Sequence, residues 1–460
     1  MTMEREVLDS HVVLDVKYCG VLYIINRLRR DFDEEIRILS RARVTRADER
    51  DQTRGVRASD KYFFLYLQRG LLEATDKKNF FFFFFFFFFF SLYDNQICHT
   101  DLHFIAHDVG QHSYPLVPGH EIIGVVIKVG SKATDFKIGD IVGVGCMVES
   151  CLSCSACAND EEQYCKNTPT WTYGADTRHS LHGKNQVQTI GGYSDKFVVD
   201  HRFAVKFPFA KEDFESEGEF NEVLAKCAPL LCAGITMYSP CKKYIDMVRK
   251  TRETPVKVGV RGLGGLGQMG IKILSTMNVE VFAISHSPKK EEEAKRIGAN
   301  HFVLSSSVTA MNKLKRDHAL DIILDTVGAL PSEEDASPST PEGGSPTSRE
   351  DKRDKTPSPQ EFYDVAADAL ATHGHYVLIG LNTKPVAITG TKFIWNDISL
   401  HGSLIGGVKQ TKETVDFCWK HKIFPDVNII SVRDIPNVLQ LLEKGNDSTK
   451  RYVIDASTFE

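Results

Sequence analysis

The stretch that most restricts the fold is VKVGVRGLGGLGQMGIKIL, residues 256–274. Val256 to Val260 has the character of a short strand, Gly262, Gly264 and Gly267 then fall in a G-x-G-x-x-G pattern, and a helical run follows. Glycines at these positions permit a tight strand-to-helix turn and let a pyrophosphate approach the helix N-terminus. A second strand, Glu280 to Ile284, arrives at the spacing of a βαβ unit. The pattern predicts a doubly wound α/β unit whose dinucleotide site contains Gly262, Gly264, Gly265, Leu266 and Gly267. Arg261 is discordant, a charge where the end of such a strand is usually apolar. NAD-selective units carry Asp or Glu about 20 residues after the glycine turn. Here Ser285 stands at that position, in V-F-A-I-S-H-S-P-K-K. Ser285 and Ser287 can donate to a 2′-phosphate, and Lys290, with Lys289, supplies charge, so the cofactor expected is NADP(H). The plainer reading of Ser-Pro-Lys-Lys is a helix N-terminus with solvated lysines.

Composition matters mainly for what it excludes. The 460 residues are 42% hydrophobic and 25% charged, ordinary for a globular chain of two or three domains. A net charge of −5 gives no broad basic field for nucleic acid or an anionic membrane, which leaves small-molecule chemistry. The start, MTMEREVLDS, has no apolar run of the signal-peptide type, so a cytoplasmic setting is expected, where clustered cysteines suggest metal.

Of eleven cysteines, Cys151, Cys154, Cys157 and Cys165 form C-x2-C-x2-C-x7-C, a spacing whose thiolates can close a tetrahedral zinc shell. A closed shell leaves no open position for substrate, so this site is expected to be structural. Cys146 falls outside the spacing and reads as a small core residue. A second set is scattered: Cys98 in C-H-T-D-L-H, His120 and Glu121 in P-G-H-E-I-I-G, and Cys232 in A-P-L-L-C-A-G-I-T. Two thiolates and one imidazole leave the fourth position that a Lewis-acid zinc needs. Taken singly, Cys232 reads as core and His120 as a hydrogen-bonded loop residue.

The motifs CHTDLH, YPLVPGHEIIGVV, VGVGCMVESCLSCSAC, GGYSDKFVVD, APLLCAGITMYSP and GLGGLG together resemble the cinnamyl alcohol dehydrogenase group of zinc-dependent medium-chain dehydrogenases/reductases, from residue 97 to the C-terminus apart from one insertion. The resemblance implies an α/β protein, a GroES-like β-barrel catalytic domain (97–232 and 408–460, with 1–20 as its N-terminal part) interrupted by a doubly wound Rossmann domain (233–407). It implies two zinc ions per chain, with Cys98, His120 and Cys232 at the catalytic one, Glu121 beside them, and the four clustered cysteines at the structural one. It further implies Asp101 as a carboxylate behind the ligands, Thr100 and His103 as a proton relay, and Trp171, Leu404 and Ile405 as pocket residues. For Thr100 a turn-capping hydroxyl, and for Trp171 an ordinary surface or core aromatic, are the alternatives. The activity implied is hydride exchange between NADP(H) and a small aldehyde or alcohol, with aromatic or medium-chain aldehydes favoured, in a homodimer.

Two segments break the pattern. Asp9 to Gly20 reads as a family strand, and joining Gly20 to Ile97 gives KYCG-ICHTDLH, the continuous motif. The family also has a further β-hairpin before the strand at Val12 to Tyr18, so a shortened start is expected to trouble closure of the barrel. Between the joined ends, Val21 has codons that begin GT, Gln96 can be CAG, and Phe80 to Phe90 encodes an unbroken pyrimidine tract. Residues 21–96 therefore read as a translated, unspliced intron. The phenylalanine run is shorter than the ~20 residues of a membrane helix, and a genuine low-complexity insertion is the other reading. Residues 331–360, rich in Ser, Pro and charge, read as a disordered loop between a strand ending near Asp325 and a helix from Phe362 to Ala371. A polyol-type zinc dehydrogenase, or a catalytically dead zinc-binding product of the chain as written, are the alternative functions.

Overall fold

The computed structural model describes residues 11–19, 98–105, 109, 112–113, 116–176, 188–251, 253–328, 361–382, 385, 387–443 and 450–458. The inserted segments 21–96 and 331–360 lie outside the described residues. The chain divides into two compact units, one of Met1–Leu22, Ile97–Ile435 and Asp447–Glu460, the other of Tyr23–Gln96 and Pro436–Asn446. Of the second, only 436–443 are described, in the helix Ile435–Glu443. All candidate site residues belong to the first.

The first sheet is built on β1 (His11–Cys19), β2 (Ile122–Val129) and β3 (Ile141–Val144). They are rich in Val and Ile, which favour the pleated backbone, and Val12, Leu14, Ile122 and Ile123 are sealed from solvent. A short ladder, β4 (Met147–Glu149) with β5 (Thr170–Trp171), flanks the cysteine cluster. With β6 (Lys196–Asp200), β7 (Val205–Lys206) and two strands from later in the chain, β14 (Val427–Ile430) and β15 (Arg451–Asp455), the main sheet runs β14-β15-β1-β2-β3-β7, and β6 also pairs with β1. β1 therefore has three partners: β2, β6 and β15.

The second sheet is parallel throughout. Its strands are β8 (Lys257–Arg261), β9 (Glu280–Ser285), β10 (His301–Leu304), β11 (Leu320–Asp325), β12 (Leu370–Leu378) and β13 (Ser399–Gly402), in the order β10-β9-β8-β11-β12-β13. Alternate side chains enter two separate cores: Val281, Ala283, Ile322 and Leu324 pack on one face, Phe282, Ile284 and Ile323 on the other. Burial on both faces explains why β11, LDIILD, shows no polar alternation. The last strands, β14 (Val427–Ile430) and β15 (Arg451–Asp455), return to the first sheet.

One element differs from its expectation. The helix expected over Phe362 to Ala371 spans Glu361–Ala367, and β12 begins at Leu370. The carbonyl of Ala369 accepts from the Leu320 amide at 2.8 Å, which draws the chain into the sheet before the helix can continue. Among the described residues no single helix is long and apolar enough to cross a membrane.

Candidate active site and metal centres

Three separate segments converge on the first cluster. Cys98 immediately precedes the helix His99–Ile105, His120 and Glu121 lead into β2, and Cys232 caps the helix Ala233–Arg249. Cys98 Sγ lies 3.2 Å from His120 Nε2 and 3.8 Å from Cys232 Sγ, and His120 Nε2 is 3.3 Å from Cys232 Sγ. Ligand atoms of these three and Glu121 all fall within 4.8 Å of one another. Sulfurs about 2.3 Å from a tetrahedral zinc stand about 3.8 Å apart, so the donor set fits the ion.

Asp101 backs this cluster. It is 2% exposed, and its Oδ1 lies 2.9 Å from His120 Nδ1. Tyr173 donates to the same oxygen, and Tyr193 donates to Oδ2 at 3.2 Å. A proton on Nδ1 shared with Asp101 leaves the Nε2 lone pair facing the two sulfurs, the tautomer a metal requires. The hydrogen bond with Cys232 is the main cause holding the Cys98 thiol well below its ordinary range, against burial and with help from His120. Burial alone would lower the pKa of His120, yet the charges of Asp101 and Cys98 raise it. Burial pushes Glu121 up to about 7, and Arg451 opposes that rise through a 2.7 Å ion pair.

The four clustered cysteines meet as the spacing predicted. Cys154 and Cys157 sulfurs are 3.5 Å apart and those of Cys151 and Cys157 3.9 Å, again near a tetrahedral edge. Hydrogen bonds led by the Ser153 backbone bring Cys151 down to about 5, while burial pushes Cys157 up to about 12. Four sulfurs so placed offer the donor set that a tetrahedral zinc takes.

The glycine loop separates three steric duties. Gly262 has φ +91°, open to glycine at little cost, and Gly264 has nothing within 4 Å of where a Cβ would be. A Cβ on Gly267 would sit 1.8 Å from the Gly262 carbonyl oxygen, so the helix Gly265–Leu274 can lie this close only with glycine there. Leu266 follows in the first turn of that helix. Ser285, 3% exposed, closes β9, and its Oγ accepts from the Ser287 amide at 3.2 Å. Lys290 ends the 3-10 turn that begins at Pro288.

Thr100 and His103 are half-buried, three residues apart and hence on one face of the helix His99–Ile105. Ile405 lines a cavity with Cys146, Met147, Leu231 and Ile235, whereas Leu404 is exposed and Trp171 sits in β5, paired with Met147. Cys146 is thus no core residue: it is half-buried beside Cys232, and its hydrogen bond is the first cause raising the Cys232 thiol. Sequence reading also passed over Arg451, Tyr173 and Tyr193. Arg451 pairs with Glu121, and its Nη1 is 3.3 Å from a Cβ built on Gly265, which links the cysteine cluster to the glycine loop. Nothing local in R-Y-V-I-D signals it.

A GroES-like barrel sheet joined to a doubly wound parallel sheet, with one open and one closed cysteine cluster, defines a zinc-dependent alcohol dehydrogenase. The alcohol dehydrogenase GroES-like domain family matches residues 94–209 and the zinc-binding dehydrogenase family residues 265–345. Cinnamyl alcohol dehydrogenase 2 of Arabidopsis thaliana is 37% identical over 362 residues, 78% of this chain and 82% of that protein. A probable mannitol dehydrogenase of Mesembryanthemum crystallinum is also 37% identical, over 78% of this chain and 85% of its own length. Among solved structures, a cinnamyl alcohol dehydrogenase of Sorghum bicolor superposes with TM-score 0.68 at 28% identity, covering 100% of this chain and 94% of that one. That of Helicobacter pylori complexed with NADP(H) gives 0.60 at 32%, covering 80% and 89%. The chain belongs to the cinnamyl alcohol dehydrogenase group of the zinc-dependent medium-chain dehydrogenases.

Proposed function

We propose that this enzyme reduces aromatic or medium-chain aldehydes to primary alcohols with NADPH, at a zinc held by Cys98, His120 and Cys232. The observation that carries the reading is the convergence of these three donors while Glu121, the fourth member, is engaged by Arg451. Bound zinc supplies a Lewis acid for a carbonyl oxygen, and the nicotinamide supplies a hydride. Asp101 fixes the His120 ring, Thr100 holds a hydroxyl proton for the product oxygen, and His103 passes protons between Thr100 and water. Cys151, Cys154, Cys157 and Cys165 hold a structural zinc. Ser285, Ser287 and Lys290 take the 2′-phosphate.

The relatives named as mannitol dehydrogenases favour a second reading, oxidation of a polyol. A polyol needs several hydrogen-bonding partners, and of the residues read as the pocket, Trp171, Leu404 and Ile405, only the Trp171 indole offers one from its side chain. Comparing kcat/KM for cinnamaldehyde with NADPH against mannitol with NADP decides between them. Cinnamaldehyde is expected to be favoured by about a hundredfold or more, since unmatched polar groups are strongly rejected. Mannitol turnover at equal or greater efficiency would replace the aldehyde reading. In the same assays Cys98→Ala abolishes turnover with little loss of stability, whereas Cys154→Ala lowers the melting temperature, because metal binding at a structural site is partly folding energy.

A homodimer is supported by β13, which ends the described parallel sheet near the exposed Ile394 and Trp395. Sedimentation at micromolar concentration should show twice the chain mass.

A further inference from the structure

Ile405 has φ +34°, a left-handed conformation that a β-branched side chain adopts only under constraint. Such strain persists where the surroundings over-determine the backbone. Here the constraint comes from the lobe that carries the four clustered cysteines. The Leu404 amide, just before the strained residue, donates to the Tyr164 hydroxyl at 3.1 Å. The Val408 amide, just after it, donates to Glu162 Oε2 at 3.1 Å. Between these anchors Gly407 presses on the lobe so closely that a Cβ there would lie 1.9 Å from the Asp160 carbonyl oxygen. Lys409 adds an ion pair to Asp160 at 2.7 Å. Glu162 is buried, so its carboxylate is aimed rather than solvated, and it serves the first amide of the helix Val408–His421, whose own N-cap, Gly407, has no side chain to do so.

We propose that the four-cysteine lobe is a specificity-positioning device: Tyr164 and Glu162 pin residues 404–408 and so hold the left-handed Ile405 backbone, which fixes where its side chain points. The proposal rests on the reading of Ile405 as a residue of the aldehyde pocket. It gives the closed cysteine site a task beyond stability, because the turn Glu162–Tyr164 runs directly into Cys165, one member of that site.

The test is the ratio of kcat/KM for cinnamaldehyde to that for propanal, both with NADPH, in the full-length enzyme. Tyr164→Phe and Glu162→Ala should each lower the ratio about five- to tenfold, the scale of one lost hydrogen bond. The change should appear in KM for cinnamaldehyde, with kcat for propanal and zinc content held. Glu162→Gln keeps an acceptor oxygen and should restore the ratio. Tyr164 is 45% exposed, so its variant folds even where Glu162→Ala does not. If both loss variants reduce the melting temperature yet leave the ratio unmoved while Ile405→Ala shifts it, the lobe is structural only and the proposal fails. If Ile405→Ala also leaves the ratio unmoved, the pocket reading falls and takes the proposal with it.

Discussion

Asp101 gathers donors from three parts of the chain: His120 and Tyr173 on Oδ1, Tyr193 on Oδ2. A carboxylate accepts all of them; an amide must turn its NH2 toward at least one. Asp101→Asn should therefore loosen the His120 tautomer and cost about 10- to 100-fold in zinc affinity at the cysteine–histidine site. Chelator competition measures this, and equal retention of metal by the variant would remove Asp101 from its role. The carboxylate was legible in C-H-T-D, but its tyrosine partners lie 72 and 92 residues away, and no local pattern announces them. Arg451, 330 residues from Glu121, was invisible for the same reason. At the cofactor end, Ser285 closes β9 where an acidic residue would repel a 2′-phosphate. Ser285→Asp should lower kcat/KM for NADPH and relatively favour NADH. A wild-type enzyme that prefers NADH, or a variant with unchanged preference, would overturn the NADP(H) reading.

Among elements, β8 and β11 are joined by more than their ladder. Arg261 and Asp325 are register partners at the strand ends, and Arg261 Nη1 meets Asp325 Oδ2 at 2.7 Å with both side chains buried. Tyr376 donates to that same carboxylate oxygen at 2.6 Å. The guanidinium also donates to the Phe362 carbonyl and lies 3.5 Å from the centre of its ring. The charge that looked out of place at the end of a strand thus fastens the helix Glu361–Ala367 to the sheet beside the glycine loop. Removing one member strands the other in a dry core, so Arg261→Ala should lower stability by about 3–5 kcal/mol, while Arg261→Met with Asp325→Leu should recover most of it. Urea unfolding reads both; a single variant as stable as wild type would count against the pair. Three parallel strands, β8, β9 and β11, were legible from their apolar character and spacing, whereas β12, LATHGHYVL, and β13, SLHG, carry polar residues that hid them. The end of the helix was not, since it is set by the Leu320 amide taking the Ala369 carbonyl, a contact between elements.

For the whole molecule, the question is whether residues 21–96 belong to the working enzyme. β1 ends at Cys19, which pairs with Ile122 of β2 and Ile454 of β15. Two residues before Ile122 stands His120, whose ring is 3.2 Å from Cys98 Sγ. Cys19 and Cys98, the described residues on either side of the segment, therefore both stand beside the start of β2, and joining Gly20 to Ile97 leaves two residues, about 10 Å of extended chain, to connect them. The motif on either side was legible in sequence because it needs only local order; that Cys19 and Cys98 both stand beside the start of β2 depends on the pairing of β1 with β2. The eleven phenylalanines between them, Phe80 to Phe90, are a long uncharged aromatic tract, the composition that drives aggregation. A protein with Gly20 joined to Ile97 should hold the same fold, remain soluble where the longer chain precipitates, and reduce aldehyde with at least equal kcat. Cells that express the gene should yield the tryptic peptide beginning Tyr18-Cys19-Gly20 and running on into Ile97-Cys98-His99. Abundant peptides from 21–96, or a shortened protein that fails to fold while the longer one is active, would make the segment a genuine part of the enzyme.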